Sequence, residues 1–208
     1  MCNAMLTSVI TGDIINSRSQ ESPEVWLDVL KKALTFLKPD KSQWDIYRGD
    51  SFQIELEAYQ DSFKAAVYIK ACIRTIKGLD VRMAIGFGAK TYRANSVAES
   101  MGDAYVFSGE TLEAIKKEKL NLRIKTTNKA LDEMLNLYFK LALVFMDHWT
   151  VNSAEMIKLS IENPNALQSE LGAKIGINQN AISTRQKRAH LEEILELDQL
   201  YRQKISLL

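Results

Sequence analysis

The sequence predicts a mixed α/β (α+β) chain, a sheet domain of order βαββαβ followed by an all-α domain. Three observations carry this reading. A nearly continuous apolar, β-branched run opens the chain, segments of period two and period 3.6 alternate as far as Thr126, and from Leu131 onward only the helical period remains.

The first strand is Leu6 to Ile15, apolar enough to sit buried in the middle of a sheet, with Asp13 out of place inside it. Ser22 and Pro23 supply an N-cap and a first-turn proline, and Trp26, Val29, Leu30, Ala33, Leu34 and Leu37 follow at helical spacing. Trp44 to Tyr47 and Phe52 to Leu56 read as a hairpin whose turn carries Arg48, Gly49, Asp50 and Ser51. A second helix is expected from about Asp61 to Lys77 with Gly78 at its C-cap. Val81, Met83, Ile85 and Phe87 alternate with Arg82, Ala84 and Gly86 as a strand requires. Ser96 to Lys119 reads as a helical stretch interrupted near Gly102 and Gly109, and Asn121 to Thr126 as a closing strand. Beyond it, Leu131, Met134, Leu135, Tyr138, Leu141, Ala142, Phe145 and Trp149 mark a bridging helix from about Lys129 to Thr150. The expected domains are 1–127, α/β, and 128–208, helical.

The 208 residues carry 27 Lys+Arg against 26 Asp+Glu, so no global field selects nucleic acid, membrane or acidic substrates. With 46% hydrophobic and 25% charged residues, disordered and collagen-like classes are excluded. Apolar stretches fall far short of the roughly 18 residues a bilayer span needs, and MCNAMLTSV lacks a signal-peptide layout. The expectation is a soluble cytosolic protein without membrane contact. Cys2 and Cys72 belong to no CxxC pair, and His148 and His190 are the only histidines, which disfavours a disulfide scaffold and a Cys/His metal site.

Asp13 ends the first strand, and Asp50 sits in a hairpin that would lie beside it. Two carboxylates facing each other across neighbouring strands suit Mg²⁺ or Mn²⁺ bridging protein and nucleotide phosphates. Gly49 would let backbone approach phosphate closely. The same residues also suit plain roles, Asp13 as a cap and Asp50 as a turn residue.

VITGDIINSR, RGDSFQIEL, VRMAIGFGAKT and SMGDAYVFSGETLEAI, in that order, resemble the SatD family of small bacterial proteins. More distantly they resemble the palm-type domain of class III nucleotide cyclases and GGDEF diguanylate cyclases, over roughly residues 5 to 125. The resemblance implies a palm-like, ferredoxin-type sheet with Asp13 and Asp50 as metal ligands for Mg²⁺ or Mn²⁺. It implies Gly12, Arg18, Arg48, Gly49 and Ser51 as nucleotide contacts. The chain departs from the GGDEF pattern at Ser51, where active cyclases carry glutamate, and at Arg48, where they carry glycine. Phe107 and Thr111 stand where class III cyclases place the Asn and Arg that stabilise the transferring phosphoryl group, a loss expected to cost orders of magnitude in rate. Arg18, Arg48, Arg82 and Lys90 are further candidate phosphate partners, with solvated surface charge as the plain alternative.

Two short matches carry no weight. GFGAKT lacks the P-loop spacing because Ala89 separates Gly88 from Lys90. Gly49-Asp50-Ser51 resembles an esterase block, but neither histidine offers the base that a Ser51 nucleophile needs.

In the tail, Gln168 to Lys187 fits the helix-turn-helix pattern: Leu171, Ile175, Ile177 and Ile182 take core positions, Gly172 the small one, and Gly176 the turn. The second helix, about Gln179 to Ala189, would present Gln179, Asn180, Ser183 and Thr184 to base edges and Arg185, Lys187 and Arg188 to phosphates of double-stranded DNA. Purely protein contacts are the alternative. The tail as a whole is neutral, so one copy would bind weakly, and a homodimer would supply a second half-site. The stripe Leu191, Ile194, Leu195, Tyr201 and Ile205 serves either that dimer or packing within the chain. The leading expectation is a DNA-binding regulator whose palm-like domain binds a nucleotide and divalent metal. The alternative is a nucleotidyl cyclase or nucleotidyltransferase with a helical regulatory tail.

Overall fold

The structure, a computed structural model, describes residues 5–208; Cys2 lies outside the described residues. Six strands form one sheet in the order β2 (Trp44–Tyr47), β3 (Ser51–Leu56), β1 (Met5–Ile15), β4 (Asp80–Tyr92) and β5 (Met101–Gly102), with β6 (Leu122–Lys125) also against β4. Among the described residues only the β4/β6 pairing is parallel. β1 lies between β3 and β4, with both edges hydrogen-bonded, and helices cover both of its faces, so the strand is buried in the middle of the sheet as the sequence predicts.

Strand alternation divides β1 between two environments. Ile10 and Ile14 face the main core with Trp26, Leu30 and Leu34 of α1 (Glu24–Leu37) and Phe63, Ala66 and Ile69 of α2 (Ser62–Arg74). Val9 faces the other way, against Ala104 and Tyr105 of α3 (Asp103–Glu118), and the Thr11 hydroxyl donates to Ser108 Oγ at 2.8 Å. The approach of α3 is set by two glycines of β4. A Cβ on Gly86 would lie 2.1 Å from the Ala104 carbonyl oxygen, and one on Gly88 would lie 2.8 Å from Asp103 Cβ. GFGAKT is therefore strand, and its glycines let a helix settle directly on the sheet.

Four boundaries depart from expectation; the bridging helix, expected to run to about Thr150, ends at Met146, where the Asp147 and His148 amides close onto Leu143 and Phe145, and leaves Trp149 outside it. α2 ends at Arg74, because the Thr75 hydroxyl takes the Cys72 carbonyl at 2.7 Å, and Gly78 (φ 87°) lies beyond the cap, turning the chain into β4. α3 is continuous through Gly109, which meets open space, and only Gly102 marks its start. α1 takes Pro23 as its N-cap, one residue after Ser22. β5 was not legible in the sequence at all.

The second half is α4 (Lys129–Met146), α5 (Val151–Glu162), α6 (Gln168–Ile175), α7 (Gln179–Ala189) and α8 (Leu191–Ile205). One cluster of buried residues continues from the sheet through Leu135 and Phe139 of α4 to Ile194, Tyr201 and Ile205 of α8. Phe63 stacks on Phe139 at 4.9 Å, and the Tyr201 and Ser62 hydroxyls share a hydrogen bond of 2.6 Å. The α8 stripe thus packs within the chain, with Leu195 left exposed. Among the described residues no helix is long and apolar enough to cross a membrane.

Candidate functional site

Asp13 shares its face of β1 with Thr11 and so points toward the side covered by α3, opposite Ser51 of β3 and Arg82 of β4 in the register. Its Oδ2 accepts from Arg82 Nη1 at 3.3 Å, while its Oδ1 is buried and without a partner. Burial pushes the carboxyl above its ordinary range; the Arg82 and Lys116 charges pull it down, and Asp50 adds to the rise. A half-buried carboxylate with one oxygen left open is costly to keep, and a cation is what would relieve it.

The hairpin brings the second carboxylate. The backbone runs through the turn with Arg48 (φ 52°) and Gly49 (φ 88°) both left-handed, which Gly49 adopts without a Cβ penalty. The Ile14 amide donates to the Asp50 carbonyl at 3.0 Å, tying the turn to the end of β1. Ser17, in the single helical turn after β1, donates its hydroxyl to Asp50 Oδ2 at 2.8 Å and fixes that side chain. Ser17 is a residue the sequence alone does not single out; its position two residues after β1 is the available signal.

The residues named from the sequence divide. Asp13, Asp50, Gly49 and Ser51 come together at this end of the sheet, and the exposed Arg48 is close enough that its charge acts on Tyr47 and on Glu113 of α3. Arg18 is exposed beside Ser17. Gly12 faces the opposite side, where a Cβ would meet the Phe52 ring at 2.6 Å, so its smallness serves core packing. Lys90 is no phosphate partner: it forms a buried ion pair with Glu55 at 2.7 Å near the far end of β1. Thr111 is buried in α3, and Phe107 carries the Lys125 ammonium over its ring.

Arg82, named from the sequence, is the cation paired with Asp13, and further cations gather beside it. A cleft of about 650 Å³ opens where β1 ends, β4 begins and α3 finishes, bordered by Asn16, Arg74, Asp80, Arg82, Lys116 and Lys119. Lys116 and Lys119 lie on the last turn and C-cap of α3, one helix turn beyond the stretch the motif comparison assigned. Periodicity alone marks them as ordinary helix-end lysines; with α3 seated on Gly86 and Gly88, both border the cleft beside Arg82, and the Lys116 charge acts on Asp13.

A divalent metal fits the donor set. Asp13 and Asp50 offer hard oxygens, and the open Asp13 Oδ1 is the atom such an ion would satisfy. Among the described residues no group of three or more His, Cys, Asp or Glu is placed to cage a metal. Two carboxylates with phosphate oxygens and water completing the shell is the arrangement Mg²⁺ commonly takes.

In the helical half, α6 and α7 join through Gly176, left-handed at φ 71°, and Leu171 and Ile182 pack on Met156 of α5. Gln179, Asn180, Thr184, Lys187 and Arg188 are exposed and Ser183 half-buried, whereas Arg185 is tethered to Glu155 at 3.3 Å. Beside α7 a cleft of about 540 Å³ carries Glu192, Glu193 and Glu196 with Ser183 and Lys187, an acidic wall next to the surface expected to meet DNA.

No family model and no curated protein matches the chain. Among solved structures it is similar to the active GGEEF domain of a diguanylate cyclase from Vibrio cholerae, with TM-score 0.46 and 16% sequence identity over 60% of this chain and 85% of that one.

Proposed function

We propose that the α/β half binds a nucleoside triphosphate with Mg²⁺ or Mn²⁺ on Asp13 and Asp50, and that its chemistry is nucleotidyl transfer of the cyclase type. The observation that carries this is the buried, unpartnered Asp13 Oδ1 beside a second carboxylate and a cleft rich in Arg and Lys. When bound, the metal would join the carboxylates to phosphate oxygens and neutralise charge that develops on them. Arg82 holds Asp13 in place and, with Lys116 and Lys119, offers the fixed positive charge that Phe107 and Thr111 do not. Ser17 keeps the Asp50 carboxylate aimed. Arg48 and Gly49 take the phosphates from the hairpin side. The test is incubation of the full chain with ATP or GTP and Mn²⁺, followed by mass spectrometry. The reading predicts a cyclic or dinucleotide product with wild type and none with Asp13→Asn; unchanged triphosphate in every mixture overturns the reaction.

A second reading, supported by the exposed face of α7, is that the tail binds double-stranded DNA through Gln179, Asn180, Ser183, Thr184, Lys187 and Arg188. A second copy would supply the other half-site. Titration of random-sequence duplex at low and moderate salt tests it: binding that weakens steeply with salt supports it, and no binding at low salt removes it.

A further inference from the structure

One residue borders the cleft and at the same time holds the helical half. Arg74, at the end of α2, donates from Nη1 to Asp80 Oδ2 at 2.8 Å, and from Nε and Nη2 to the Trp149 carbonyl at 3.1 and 2.6 Å. Trp149 stands between α4 and α5, fully enclosed, and its indole N–H donates to the Ala189 carbonyl at 3.0 Å, the last residue of α7. Lys70, 1% exposed, ties Asp80 at 2.7 Å to Asp147 at 2.6 Å, two residues before Trp149. Asp80 is in turn two residues before Arg82, the partner of Asp13. A short, buried, polar chain thus leads from the cleft to the C-terminus of α7.

We infer that an anion in the cleft, the polyphosphate of the nucleotide, engages Arg74 and is felt at the end of α7 through Trp149. This rests on the triphosphate reading above and adds regulation to it. A guanidinium has five N–H donors. Three are engaged, so two remain for an anion without breaking the existing bonds. Asp80 does not repel such a ligand strongly, because Lys70 and Arg74 both neutralise it. A ligand that fixes Arg74 therefore orders the Trp149 corner, and the bond to Ala189 carries that order to the segment where α7 meets α8. The coupling is reciprocal: a ligand of α7 whose affinity the anion raises must raise the anion's affinity by the same factor.

Hydrogen–deuterium exchange of the full chain tests this, with inorganic tripolyphosphate and then GTP or ATP with Mn²⁺ as probes. The expected result is slower exchange at residues 13–17, 80–82 and 116–121, together with at least about fivefold slowing at 186–190. Trp149→Phe keeps the backbone carbonyl and an aromatic ring but removes the indole donor. It should retain protection at the cleft and lose it at 186–190. Arg74→Lys keeps the charge but lacks the planar fork that spans Asp80 and the Trp149 carbonyl, and should give the same split. Protection at the cleft with no change at 186–190 in wild type overturns the coupling and leaves the triphosphate reading standing. No protection at the cleft with any probe overturns both. A change at 186–190 that persists in both variants shows a different route and also overturns the inference.

Discussion

The seating of α3 on the sheet is the feature on which the cation side of the site depends, and Gly86→Ala perturbs it directly. The added Cβ would stand 2.1 Å from the Ala104 carbonyl oxygen and 2.5 Å from the Ser108 amide nitrogen. Ordinary contact begins near 3.4 Å, so α3 must lift by about 1.3 Å, since both clashing atoms are helix backbone and no side chain can turn aside. Overpacking of this kind costs about 1–3 kcal/mol. In a chain of this length that lowers Tm by about 2–12 °C. The same lift shifts Lys116 relative to Asp13 and Lys119 relative to the cleft, and a misplacement of about 1 Å costs on the order of a hundredfold in a positioned reaction. Gly109→Ala is the internal control: it lies in the same helix, meets open space, and should stabilise by up to about 1 kcal/mol. The assay is urea unfolding of both variants, with nucleotide titration in Mn²⁺. Equal stability and equal nucleotide affinity in Gly86→Ala would refute the argument that these glycines place the site.

Three further outcomes follow from named contacts. Because burial raises the Asp13 pKa above its unfolded value, the folded state binds the proton more tightly, and this group's stability contribution falls as pH rises through the raised pKa. The stability difference between Asp13→Asn and wild type should therefore grow in the variant's favour as pH rises from about 3.8 and level off above the raised pKa; a difference that shrinks with pH contradicts the burial argument. Lys70→Met leaves buried Asp80 with Arg74 alone and the half-buried Asp147 without its ion pair, and should cost up to about 3 kcal/mol in urea unfolding; a loss below about 1 kcal/mol would mean the junction is not holding the halves together. If the tail binds DNA, Lys187→Ala should reduce the salt slope of binding by about 1, whereas Arg185→Ala, already tethered to Glu155, should change it little. Equal effects of the two would count against α7 as the contacting helix.

The fold was legible because periodicity is local. Ile10 and Ile14 against Val9 and Thr11, the Leu30 and Leu34 stripe of α1, and the Gly176 turn all follow from side-chain spacing within a few residues. The carboxylates were legible for the same reason: Asp13 breaks an apolar strand, and Asp50 sits in a turn that must fall beside it. What escaped depends on contacts between distant segments. Lys116 reaches the site only because Gly86 and Gly88, about thirty residues earlier, give up their side chains to α3. Lys90 looked like a free cation, but Glu55 claims it from across the sheet. The resemblance implies Gly12 as a nucleotide contact, yet a one-residue alternation turns it to the core, against Phe52. Gly78 and Gly109 misled because a glycine's freedom does not say whether the chain uses it; Thr75 had already closed one helix, and nothing obstructed the other.

The central claim is that Asp13 and Asp50 form one metal-dependent nucleotide site, and thermal unfolding tests it most directly. The full chain and its Asp13→Asn, Asp50→Asn double variant would be melted with and without GTP or ATP and Mn²⁺. At about 100 times its Kd a ligand adds about 2.7 kcal/mol, or about 5–11 °C in a chain of this size. The account predicts that rise in wild type and none in the double variant. An equal rise in both, or no rise in either with any nucleotide, would contradict it.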